Sequence, residues 1–176
     1  GTHLIIANGG LLTHPDTGRA VLNLDTLSPA LTKINRKTGA PAAQVQLPES
    51  QWGLSLRHID INQNGSVLVG AQDQFKTDNN LSLVGIWEND QTLTMLPPQT
   101  DHPWADFGFY IGSVSFDRSG MIVAAASPRG GLVGFWNAAT HQPLGALALP
   151  DVCGLAAAPI NHEFFVTSGS GTSCLV

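Results

Sequence analysis

"ALTKINRKTGAPAAQVQLP", residues 30–48, and "LVGFWNAATHQPLGALALP", residues 132–150, align without a gap. Each has an apolar run, an asparagine (Asn35 or Asn137), a polar turn, and an alternating run that ends in Leu-Pro. A shortened copy, "VGIWENDQTLTMLP", fills 84–97. Internal repetition of this kind is the signature of a modular architecture.

A second unit also recurs. "HIDINQNGSVLVGAQ" at 58–72 aligns with "SVSFDRSGMIVAAAS" at 113–127, and more weakly with "GLAAAPINHEFFVTS" at 154–168. Asn64-Gly65 and Ser119-Gly120 are turn dipeptides between alternating runs, which is a hairpin signal. The two units alternate along the chain at a spacing of roughly 40–55 residues, as in blades of a propeller. No segment shows a helical period with caps.

The pattern predicts an all-β chain, a β-propeller of four-stranded antiparallel blades, with about three and a half blades present. Blade one spans 1–48 and lacks its first strand, with strands at 4–7, 31–34 and 43–47. Blade two spans 49–97, with strands at 57–61, 66–71, 83–87 and 92–96. Blade three spans 98–150, with strands at 112–116, 121–126, 132–136 and 144–149. Blade four starts within 151–176, with strands at 153–157 and 163–168. A β-sandwich is the alternative, since it also has short strands and frequent turns. Three and a half blades cannot close a ring. The first strand falls close to residue 1 and the chain stops at Cys174-Leu175-Val176, so a piece of a longer protein is expected, with the missing blades in its remainder or in another chain.

Strand alternation sorts the connectors. The first-to-second and third-to-fourth turns lie on one face of such a disc and are short: "NQNG", "DRSG", "ENDQ", "NAATHQP", "NRKTGAPA". The other connections lie on the opposite face and include 8–30, 48–56, 72–82 and 97–110. Long ordered loops are where function concentrates. That face collects His14, Asp16, Arg19, Asp25, Trp52, Arg57, His58, Asp73, Lys76, Asp101, His102, Trp104, Asp106, Tyr110, Arg129 and Asp151. The candidate ligand-binding set among these is His14, Asp16, Arg19, Asp25, Arg57, His58, Trp104, Tyr110, Arg129 and Asp151. Arg57 and Arg129 suit an anion or carboxylate, because a guanidinium offers a planar pair of donors. The same two side chains could instead staple loops by pairing with loop carboxylates. Trp52 and Trp104 are expected to contact a ligand or partner, and Trp87 and Trp136 to pack between blades.

Sharper chemistries lack their motifs. His14-x-Asp16 could ligate a metal, but His14-Pro15-Asp16-Thr17-Gly18 has the composition of a turn. No metal site, cofactor or catalytic residue is assigned, and there is no Gly-x-Ser-x-Gly elbow. Charged residues make up 12% of the chain and the net charge is −5 with no basic cluster, which argues against nucleic acid. No apolar run is long enough to span a membrane as a helix. Cys153 and Cys174 could form a disulfide or remain thiols.

"LIIANGGLLTHPDTGRAVLNLDTLSPAL", "LRHIDIN", "YIGSVSFDRSGMIVAAASPRGG" and "LPDVCGLAAAP" resemble an uncharacterised bacterial family of exported propeller-like proteins, which often carry twin-arginine signals. The resemblance implies a periplasmic location, a seven-bladed disc, and a gene neighbourhood with iron-uptake and imelysin-like proteins. The signature positions it implies here are Asn8, Gly9, Gly10, His14, Pro15, Asp16, Gly18, Arg19, Asn23, Asp25, Arg57, His58, Ser127, Pro128, Arg129, Gly130, Gly131, Asp151, Cys153 and Gly154. One departure is His141, where the family pattern often has glycine. The expected function is that of a non-enzymatic binding or scaffold protein: the loop-rich face and channel mouth hold a periplasmic partner or a small anionic or metal-chelate ligand, with a link to iron uptake; a scaffold with no ligand is a further reading. The rival is a metal-dependent propeller hydrolase of lactonase type. It needs several carboxylate, amide or imidazole ligands converging at the channel.

Overall fold

The computed structural model describes residues 1–18, 20–51, 53–75 and 81–176. Arg19, Trp52 and Lys76 lie outside the described residues. The described chain is all-β apart from short 3-10 turns, and its strands pair antiparallel in chain order within four separate sheets. The first sheet holds β1 (His3–Asn8), β2 (Ala30–Asn35) and β3 (Pro41–Gln46). The second holds β4 (Leu54–Ile61), β5 (Val67–Asp73), β6 (Val84–Glu88) and β7 (Thr92–Met95). The third holds β8 (Ser113–Phe116), β9 (Ile122–Ser127), β10 (Leu132–Asn137) and β11 (Pro143–Ala148). The fourth holds β12 (Val152–Ala157), β13 (Phe164–Ser168) and β14 (Ser173–Leu175). Four such meanders replace the two face-packed sheets of a sandwich.

The repeated stretches owe their likeness to one turn. Asn35 Oδ1 accepts from the amides of Lys37 and Thr38 at 2.9 and 3.2 Å. Asn137 Oδ1 accepts from Ala139 and Thr140 at 3.0 and 2.9 Å. An asparagine side chain closing its own turn fixes the hairpin geometry. The register then slips at the same place in both copies, between Lys33 and Ile34 and between Phe135 and Trp136. The proline that follows each turn, Pro41 or Pro143, sits at this bulge, where the ladder needs no amide from it.

Packing between successive sheets is closest along the first strand of each: β1 with β4, β4 with β8, and β8 with β12. The last strands β3 and β7 meet more sparsely. The middle sheets are covered on both sides, so β5, β6 and β9 are buried almost throughout and read as continuous apolar runs. One core, with Leu31, Leu56, Val69, Trp87, Phe107 and Trp136, joins the first three sheets. A second, with Ala124, Val133, Val152, Phe164 and Val166, joins the third and fourth. Burial of each large apolar side chain contributes about 2 kcal/mol against the entropy of ordering it.

Two expectations need correction. The first strand of the second sheet starts at Leu54, not residue 57, because a β-bulge at Arg57 shifts the alternation by one residue. Leu54 and Leu56 point into the core before it, and the period restarts at His58. A further strand, β14, follows the Gly/Ser turn after β13. It is three residues long, too short to show a period.

Candidate functional site

The connector between β1 and β2 is an ordered flap. Asn23 Nδ2 donates to the Gly10 carbonyl at 2.8 Å, and its Oδ1 accepts from the Leu12 amide at 2.7 Å. The Leu22 amide donates to the Leu12 carbonyl at 2.9 Å. At its base, Ser55 Oγ donates to the Gly9 carbonyl at 2.9 Å, and Leu27 is buried. A polar clasp inside the loop and apolar anchoring at its end hold it over the sheet edges.

Beneath the flap, β4 presents Arg57 at its bulge. A bulge re-aims one side chain without ending the strand. The neighbouring turn between β9 and β10 presents Arg129 from a clamped backbone. Ser127 Oγ donates to the Phe107 carbonyl at 2.5 Å and accepts from the Gly130 amide at 3.0 Å. Gly130 is required there, since a Cβ would lie 2.2 Å from the Asp106 carbonyl oxygen. Tyr110 is held by a β-bridge to Gln72, and the Arg129 guanidinium lies 4.3 Å from its ring centroid. This cation–π contact orients the guanidinium face and leaves its edge open.

These parts line an open cavity of about 610 Å³. The flap contributes Leu11, Thr13, Gly18 and Val21. The second sheet contributes Arg57, Gln72 and Gln74, and the remaining wall is Tyr110, Pro128 and Arg129. Among the described residues no carboxylate lines it. Among the described residues neither guanidinium forms an ion pair; the pairs are Lys33–Asp90, His14–Asp16 and His102–Asp106. The loop-stapling alternative for Arg57 and Arg129 therefore has no carboxylate partner among the described residues.

Of the residues expected at the site, Arg57, Tyr110 and Arg129 come together. His14 and Asp16 do not line the cavity. His14 caps a 3-10 turn (Pro15–Thr17), its Nδ1 accepting from the Asp16 amide at 3.2 Å, and both side chains are exposed. Asp25 sits exposed in a second 3-10 turn (Leu24–Thr26). His58 follows the bulge outside the cavity lining; partial burial, then the charge of Arg57, holds its pKa below the ordinary histidine value. Asp151 occupies a left-handed turn, φ 55°, where its carbonyl accepts from the Gly169 amide at 2.9 Å.

Trp104 requires the firmest correction. It is 1% exposed, inside a 3-10 turn (Trp104–Phe107), and stacked on Trp136 with ring centroids 5.7 Å apart. The loop that carries it folds inward as an apolar wedge with Phe107 and Ile111, because burying those rings gains more than displaying them. Trp87 and Trp136 are buried at equivalent positions, as expected of packing residues. Gln72 and Gln74 were not anticipated. Gln72 lies near the end of β5 and Gln74 just beyond it, both line the cavity, and an uncharged amide gives no signal in sequence.

Among the described residues no three His, Cys, Asp or Glu side chains converge to hold a metal. Cys153 and Cys174 are unpaired. No described helix is long and apolar enough to cross a membrane.

An all-β repeat of antiparallel sheets with a polar cavity on its loop-rich side is thus the class of protein in hand. Residues 1–176 match the family described as a protein of unknown function, DUF1513, and the chain belongs to that family. Among the solved structures that share the fold are two of low sequence identity. One is the computationally designed Ika4 protein, at 16% identity and TM-score 0.58, covering 85% of this chain and 82% of that one. The other is the hydrazine synthase of Kuenenia stuttgartiensis, at 11% identity and TM-score 0.68, covering 100% of this chain and 55% of that one. None of the curated proteins matches the chain.

Proposed function

We propose that the chain is part of a β-propeller whose loop-rich face binds a small organic anion. The sheets are its blades, within 1–48, 49–97, 98–150 and 151–176, and the disc has seven. Four chain-order meanders packed closest along their first strands support this arrangement. So do the end sheets, which leave Leu4 and Ile6 on one side and Phe165 and Leu175 on the other uncovered, as faces for further blades. The periplasmic setting and the link to iron uptake belong to the same proposal and rest on the family resemblance.

The observation that carries the binding reading is a pair of guanidiniums in one cavity with no carboxylate partner among the described residues. Both arginines are exposed, and neither has an acid partner among the described residues. Two left open beside a preorganised wall favour an acidic ligand, which spares the cost of ordering the site on binding. The hydrolase alternative gains no support from the metal-ligating side chains described.

Thermal unfolding with a panel of organic and inorganic anions at low salt tests this. A ligand at a hundred times its Kd stabilises by about 2.7 kcal/mol, a readily measured rise in Tm. The expected outcome is stabilisation by at least one anion that is abolished in Arg57→Gln and in Arg129→Gln. Stabilisation that survives both substitutions places the anion elsewhere and contradicts the reading.

A further inference from the structure

The chemistry of the cavity wall narrows the ligand class. Arg57 and Arg129 come from different elements, a strand bulge and a turn, so each offers its own donor fork. Each fork matches one carboxylate. The cavity, at about 610 Å³, falls in the range of organic-ligand sites and is far larger than an inorganic oxyanion needs. Its remaining polar groups among the described residues are neutral. The Gln72 side chain makes no hydrogen bond among the described residues. Gln74 Nε2 donates to the Gln72 carbonyl at 3.1 Å, leaving the Gln74 side-chain oxygen as an acceptor. Carboxamides, a phenol and the Thr13 hydroxyl both donate and accept, as alcohol groups of a ligand require. Leu11, Val21 and Pro128 supply an apolar wall for a carbon chain.

We propose that the ligand is a hydroxylated dicarboxylate of the sugar-diacid type, with its acidic ends on Arg57 and Arg129 and its hydroxyls on Gln72, Gln74 and Tyr110. The proposal rests on the anion-site reading above and adds two requirements to it: two acidic groups and a hydroxylated chain between them.

Isothermal titration of the full chain with four probes tests it. Galactarate is a hydroxylated diacid. Adipate has the same chain length without hydroxyls, gluconate has one carboxylate, and inorganic phosphate has no carbon chain. Galactarate is expected to bind with one site, at least about tenfold tighter than each of the others. Gln72→Leu is expected to bring galactarate towards adipate, and Arg129→Lys to weaken it about tenfold, since an ammonium cannot replace the planar fork. Circular dichroism of each variant confirms its fold. Gluconate or phosphate binding as tightly as galactarate overturns the diacid class and leaves the anion site standing. Adipate binding as tightly overturns the hydroxyl requirement. No heat with any anion on folded protein overturns both readings.

Discussion

His141 sits at φ 61° in the turn where the matching copy has Gly39 at φ 72°. The left-handed region costs a side-chain-bearing residue about 1–2 kcal/mol. The His141 Nε2 atom is also buried without a hydrogen-bond partner. His141→Gly should therefore stabilise the protein by about 0.5–1 kcal/mol after the greater entropy of an unfolded glycine is subtracted. Urea denaturation measures this, and a loss of stability would show that the imidazole holds the turn in another way. The alignment of the two copies alone exposes this position. By contrast, Trp104 was not legible. A tryptophan in a long connector has the same appearance whether it faces solvent or the core, and only its stacking on Trp136 decides the matter.

Turns couple one sheet to the next at the level of elements. Asp117, in the turn between β8 and β9, accepts from the amides of Ser119, Met121 and Ile122 at 2.8–3.0 Å. It also accepts from the His162 amide at 2.9 Å, across the gap to the fourth sheet. Burial alone would raise its pKa. The Ser119 hydroxyl and the amides of Ile122, His162 and Ser119 outweigh that and hold it at about 2, below the ordinary 3.8. A carboxylate with a depressed folded value stabilises fully above its unfolded value. That contribution is lost as pH falls through the folded one. Asp117 should thus contribute about 2 kcal/mol that disappears between about pH 4 and pH 2. Asp117→Asn should be less stable at neutral pH and lose less on acidification over that window. Denaturation midpoints of both proteins along the pH series check it, and parallel curves would contradict it. The hairpin itself was readable from Ser119-Gly120. Its tie to His162 was not, since no local pattern marks a contact 45 residues away.

For the whole molecule, the sheets were legible because each hairpin needs Asn, Gly or Pro at fixed offsets, so the turns repeat even where the strands drift. The loop-rich face followed from strand alternation. The cavity was partly legible. Charged Arg57 and Arg129 stand out in a chain with few charges, whereas Gln72 and Gln74 become visible only once the end of β5 and the bridge to Tyr110 are placed. The bulge at Arg57 explains the missed start of β4 and the presentation of the side chain at once.

The central claim joins that arrangement of sheets to an open pair of guanidiniums. A crystal structure of the protein grown with galactarate tests it most directly. The expected structure has β1, β4, β8 and β12 side by side, with the diacid under the 9–29 flap and a carboxylate on each of Arg57 and Arg129. Arg57 or Arg129 paired instead with carboxylates of the protein, or those four strands divided between two face-packed sheets, would contradict it.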